Sequence, residues 1–178
     1  MYAVCSQYSG TFVMSNEDGF PPPCHDHSVC TKDALLSAEN NCKHNNVRFT
    51  RMRRRVFEII WENHEPVGAY DILARLNENG GRTAPIAVYR ALDFLLKQDL
   101  IHRIQSMNAF VGCSEPQRIH KPHFLICSSC KAAAEIPNSS IHQSVSLTAE
   151  ANGFKIVDSM LEIRGTCSNC QSLEHKHV

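Results

Sequence analysis

Cys127-Ser128-Ser129-Cys130 and Cys167-Ser168-Asn169-Cys170 are two CxxC pairs separated by 36 residues. Paired thiolates at this spacing close a tetrahedral cage around zinc, and the intervening chain is long enough for a helix and strands. Such a cage ties the two ends of a small module together and lends it folding free energy on the order of 10 kcal/mol. Two disulfides would need an oxidising compartment, and a redox CxxC needs no second pair. Structural zinc is therefore the leading reading of the four cysteines.

A second group of ligand-type side chains, His102, Cys113, His120, His123 and Glu135, surrounds a polar stretch at 114 to 119. Alone, each has an ordinary reading as a surface or satisfied histidine, a small core residue or a solvated carboxylate. His102 and Cys113 are expected on the two strands of one hairpin, as cross-strand neighbours, whereas His120 and Glu135 lie beyond the polar stretch. One metal held by His102, Cys113, His120 and Glu135 would bridge two domains. A thiolate, two imidazoles and a carboxylate suit tetrahedral Zn(II) better than Mn(II) or Mg(II), which favour oxygen ligands. Four protein ligands leave no open position for water, so the site fits sensing better than hydrolysis. No nucleophile–base pair stands out, so no catalytic residue is assigned and no enzyme is expected; a CxxC thiol oxidoreductase or a zinc hydrolase is the remote alternative.

The elements that must position these ligands follow from periodicity. Thr31 is a candidate N-cap for a helix to about Lys43, with a turn at Asn45-Asn46. Met52, Val56, Ile59 and Ile60 recur at helical spacing, leaving the arginines around them free to face outward. Tyr70, Ile72, Leu73 and Leu76 predict a short helix stopped by Gly80-Gly81. Another starts at Thr83, with Pro85 in its first turn, and buries Val88, Leu92, Leu95 and Leu96. Strands are expected over 100–105 and 109–113. Three helices and a hairpin make a winged helix-turn-helix, whose third helix enters the DNA major groove. Beyond the hinge, strands at 123–127 and 132–136, a helix at 139–152 and a strand at 154–163 make a second module of about fifty residues, small enough to need zinc or dimerisation.

The 178 residues suit one or two small domains, with no apolar run of membrane-spanning length. No signal-peptide pattern opens the chain, so the nine cysteines are expected as thiols and ligands in a reducing cytoplasm. The net charge of zero conceals an asymmetry: residues 1–40 carry minus four, 41–120 plus four, and 121–178 balance. The basic surplus peaks at Arg48 to Arg55, where no acidic residue intervenes, and suits phosphate contact as well as a solvated face.

With these residues in view, the chain resembles the ferric uptake regulator superfamily, and most of all its zinc-sensing branch. The carriers are Asn46-Val47-Arg48-Phe49-Thr50, Ala69-Tyr70-Asp71-Ile72-Leu73, Val88-Tyr89-Arg90-Ala91-Leu92-Asp93-Phe94-Leu95, His123-Phe124-Leu125-Ile126-Cys127-Ser128-Ser129-Cys130 and Gly165-Thr166-Cys167-Ser168-Asn169-Cys170. The similarity spans about residues 31 to 170. It implies an α+β protein: a winged helix-turn-helix DNA-binding domain, then a small α/β dimerisation domain with a four-cysteine zinc site. The implied protein is a homodimeric, zinc-responsive repressor that binds double-stranded operator DNA and controls zinc-uptake genes, taking no small molecule but the metal ion. Two zinc ions per protomer are expected, with sensing ligands carried over onto His102, Cys113, His120 and Glu135. Tyr89 and Arg90 match the reading helix, with Arg53 and Tyr70 near phosphates and Arg51 and Arg54 as further contacts. An iron, manganese or peroxide sensor of the same superfamily is the main rival. The dense histidine run usual in iron sensors before the first CxxC is reduced here to His120-Lys121-Pro122-His123, and either histidine fits as ligand.

The expected organisation is an N-terminal extension at 1–30, the winged-helix domain at 31–113, a hinge at 114–119, the zinc-binding dimerisation domain at 120–170 and a tail at 171–178. Cys24-His25-Asp26-His27-Ser28-Val29-Cys30 holds two further thiols and two imidazoles with no core around them, and His175 and His177 stand at the other end. Translation could begin at Met1 or at Met14.

Overall fold

The computed structural model describes residues 27–62, 65–78, 80–114, 116, 122–136, 139–157 and 159–174. Residues 24–26 of the Cys24–Cys30 cluster lie outside them, as do His120, His175 and His177, while residues 27–30 open the first described helix.

Four helices dominate the first half of the described residues: α1 (His27–His44), α2 (Arg51–Trp61), α3 (Ala69–Asn77) and α4 (Pro85–Lys97). Helix α1 begins at His27 rather than Thr31, so the boundary expected at residue 30 falls inside a helix. Thr50 caps α2 by accepting a hydrogen bond from the Arg53 amide, and Pro85 occupies the first turn of α4, where a missing N–H costs nothing. The buried faces of α2 and α4, with Val56, Phe57, Ile59, Ile60, Val88, Leu92 and Leu95, meet Ile72 of α3 and Ala38 and Cys42 of α1 in one core.

Strands β1 (Val67–Gly68), β2 (Ile101–Ile104) and β3 (Ala109–Gly112) form an antiparallel sheet in the order β1-β3-β2. A single 3-10 turn at Gln105–Met107 and left-handed Asn108 join β2 to β3 as the wing. Strand alternation divides the wing between two cores. Ile101 and Phe110 join the helices, whereas Ile104 and Val111 pack on Phe124 and Ile126 of the second module.

That module is a sheet of β4 (His123–Cys127), β5 (Ala133–Ile136) and β6 (Leu161–Gly165), with α5 (Ser139–Ala151) and α6 (Ser168–Glu174). Central β4 pairs antiparallel with β5 and parallel with β6. The strand expected from residue 154 begins only at Leu161, because Gly153, at a φ of 64°, ends α5 in a turn and an irregular stretch follows. The module also continues past Cys170: α6 runs to Glu174, inside the expected tail. Asn41 of α1 donates to the carbonyls of Gln98 and Pro116, tying the first helix to the expected hinge.

Candidate metal centres and nucleic-acid interface

Parallel pairing of β4 and β6 delivers both CxxC pairs to the same end of the sheet, since Cys127 stands opposite Gly165 and Cys167 follows two residues later. The four sulfur atoms of Cys127, Cys130, Cys167 and Cys170 all lie within 4.8 Å of one another. Sulfur ligands about 2.3 Å from a tetrahedral zinc stand about 3.8 Å apart. The separation between Cys130 and Cys167 is 3.8 Å, so the donors present fit that ion. The backbone also favours the thiolate. Burial pushes Cys127 up, but N–H groups of Cys167, Cys130 and Ser129 outweigh it and bring the thiol down to about 6. The hydrogen bond to Cys167, burial and the other neighbouring thiols push Cys170 up to about 12. The described cysteines form no disulfide.

The second group assembles from both modules. His102 pairs across the wing with Val111, and the amide of Cys113 donates to the Leu100 carbonyl. His102 and Cys113 are therefore cross-strand neighbours, as expected, set diagonally on one face of the hairpin. Glu135 reaches them from β5, opposite Phe124. One ligand atom from each of His102, Cys113 and Glu135 lies within 4.8 Å of the others, and all three side chains are largely withdrawn from solvent. The amide and hydroxyl of Ser114 both donate to Glu135 Oε2, at 3.4 and 3.0 Å, which turns Oε1 toward His102 Nε2 at 3.5 Å. An oxygen and a nitrogen bound to one tetrahedral zinc stand about 3.4 Å apart. Nitrogen, sulfur and oxygen donors thus converge at a spacing that one zinc ion would fill, with Ser114 orienting the carboxylate as outer-shell donors do. His123 is buried at the start of β4, but alternation puts it on the face opposite Phe124 and Glu135, and its Nδ1 faces the Pro122 carbonyl at 3.1 Å.

The candidate DNA face lies on the helices. Tyr70, Tyr89 and Arg90 are exposed on α3 and α4, as expected. The arginines of α2 are less uniform than the sequence suggests. Arg51 is exposed, whereas the Arg53 guanidinium sits 3.5 Å over the Phe94 ring and donates to the Arg48 carbonyl. Arg54 pairs with Glu39 and Glu58, and Arg55 with Glu58 and Glu62. Part of the positive charge that looks free in the sequence is therefore compensated by acids from α1 and one turn along α2.

Sequence reasoning passes over two polar residues that matter here. Ser114 falls in the expected hinge, although its adjacency to Cys113 is a signal. Glu162, a lone acid in an apolar strand, accepts hydrogen bonds from the Gln105 and Ser106 amides at 2.7 and 3.1 Å, so β6 holds the tip of the wing.

Comparison with known proteins accords with this geometry. The chain is 33% identical to the zinc uptake regulation protein of Escherichia coli (strain K12) over 145 residues, covering 81% of this chain and 85% of that one. A solved structure described as a zinc uptake regulator complexed with zinc and DNA superposes with a TM-score of 0.75 at 32% identity, covering 82% of this chain and 97% of the other. The structure of holo XcZur does so with a TM-score of 0.71 at 33% identity, covering 83% and 99%. Residues 44–164 match the model of the ferric uptake regulator family, and the chain belongs to that family.

Proposed function

We propose that the chain is a zinc-responsive transcriptional repressor that binds operator DNA as a homodimer when zinc-loaded and controls zinc-uptake genes in the cytoplasm. The observation that carries this reading is the convergence of His102 and Cys113, from the wing, on Glu135 of the second sheet. Residues from both modules grip one ion only when the modules are correctly oriented, so occupancy of the site favours one placement of the winged helix over others. His120 completes the set, since His123 faces the other side of its sheet. Each protomer then holds two zinc ions, one structural at the four cysteines and one sensing. Linkage is reciprocal, so operator DNA tightens zinc at the sensing site by the factor that zinc tightens DNA.

Homodimerisation is supported by apolar side chains left in solvent on the second module, among them Val145, Leu147, Phe154, Met160 and Ile163. Cys113 among the sensing ligands favours zinc over iron or manganese, which prefer harder donors. No catalytic role is assigned. Duplex binding measured against buffered free zinc tests the proposal: affinity should rise steeply with zinc, and equal or greater activation by Fe(II) or Mn(II) would favour the rival sensors.

A further inference from the structure

Among the described residues of the winged-helix module, the large hydrophobic side chains left in solvent are Leu36, Tyr70, Ile86 and Tyr89. Leu36 is on α1, and the other three are in the early turns of α3 and α4. Ile86 is 59% exposed although it is the second residue of a helix whose Val88, Ala91, Leu92 and Leu95 are buried. Ile86, Tyr89 and Arg90 follow at i, i+3 and i+4 and share one face, the face turned away from the core.

The local chemistry makes Ile86 a rigid apolar probe. Pro85 fixes the backbone immediately before it, and β-branching restricts its own rotamers, so little freedom remains to be lost on contact. A surface that meets only phosphates gains nothing from such a side chain. The major groove, by contrast, offers one apolar feature, the C5 methyl of thymine. We propose that Ile86 is a specificity-determining residue that packs against a thymine methyl in each operator half-site. Four residues of helix rise by about 6 Å, close to two base-pair steps, so the thymine lies within about two base pairs of the base edge reached by Arg90. This inference rests on the operator-binding reading above.

The test uses the full-length, zinc-loaded protein and a duplex that it selects from a random library. Each thymine of the selected duplex is replaced singly by uracil, which removes the methyl and nothing else. At one position per half-site the change should weaken the wild-type protein about fourfold, the factor expected for one methyl returned to water. The same change should leave Ile86→Ala unaffected, and Ile86→Ala, which removes the contact from both protomers, should bind the thymine duplex about as weakly as the wild type binds the duplex carrying uracil at that position in both half-sites. Because the side chain is exposed, the variant should unfold at the wild-type temperature. Uracil effects that are absent, or equal in both proteins, overturn the methyl contact while leaving operator binding intact. A wild-type protein that enriches no sequence overturns the operator reading and this inference with it.

Discussion

Glu135 and Glu162 stand at one level of the second sheet, on the two strands that flank β4, each paired opposite Phe124. Both carboxylates face the wing. Glu135 meets His102 near the end of β2–β3 that carries Cys113, and Glu162 accepts from the amides of the turn at the wing's tip. Between them Phe124 lies 6.0 Å from the His102 ring and packs with Ile104 and Val111. The wing is thus held at two polar points with an apolar patch between, and only one of those points, Glu135, belongs to a candidate metal site.

The Glu162 contact should respond to acid. Burial raises its pKa, but hydrogen bonds from Ser106 and Gln105 and the charge of Arg164 outweigh it and leave the carboxyl below its ordinary value. A group more acidic in the folded state contributes fully above the ordinary carboxylate range, and its contribution is lost as pH falls through the lowered value. In Glu162→Ala at neutral pH, the Gln105 and Ser106 amides should exchange hydrogen faster while the helical core keeps its protection. Lowering the pH should erase the difference between variant and wild type. Equal exchange at neutral pH would show that the carboxylate does not hold the turn.

The two candidate metal centres should fail differently. Cys127→Ser removes a buried sulfur from a closed cage and should unfold the second module, whereas Cys113→Ser should leave the fold intact and abolish the zinc response of DNA binding. Circular dichroism and gel shifts on both variants decide this. A folded, zinc-responsive Cys127→Ser protein would contradict the assignment.

Gly112 is held small by its neighbour. A Cβ placed there would fall on the indole ring of Trp61, closer than real side chains approach. Gly112→Ala should therefore cost about 1–3 kcal/mol as an overpacked site. Trp61 is the sole tryptophan, so its fluorescence reports the displacement directly during urea unfolding. Trp61→Leu in the same chain should recover part of the loss.

Charge compensation on α2 predicts unequal arginines. Arg51→Ala should flatten the salt dependence of DNA binding by about one unit of slope, while Arg54→Ala, already neutralised by Glu39 and Glu58, should change it less. Arg90→Ala should cost about 1–3 kcal/mol on the preferred duplex and blur sequence preference. Binding isotherms at several salt concentrations separate these outcomes.

Where local signals are strong, the fold is legible in the sequence. Pro85 and the Val88–Leu95 stripe locate α4 because each depends on neighbours within a turn or two, and the two CxxC pairs announce the cysteine cage because zinc takes four soft donors at that spacing. That His102 and Cys113 are neighbours across one hairpin is legible, but their diagonal offset is not, since the register of a short hairpin depends on how its turn closes, and the 3-10 turn ending at left-handed Asn108 sets it. Strand β1, only two residues long, carries no period at all. The pairing of Arg54 with Glu39 and the hydrogen bonds of Glu162 span distances along the chain that periodicity does not encode.

The parallel strands β4 and β6 have one more consequence. Phe124 and Cys127 are three residues apart on β4, about 10 Å, so the cysteine cage and the Glu135–His102 contact are opposite ends of one short lever. In the proposed reading an ion at the cage would brace one end of this strand and an ion at Glu135 and His102 the other, so a change that loosens the cage should also be felt where the second sheet meets the wing.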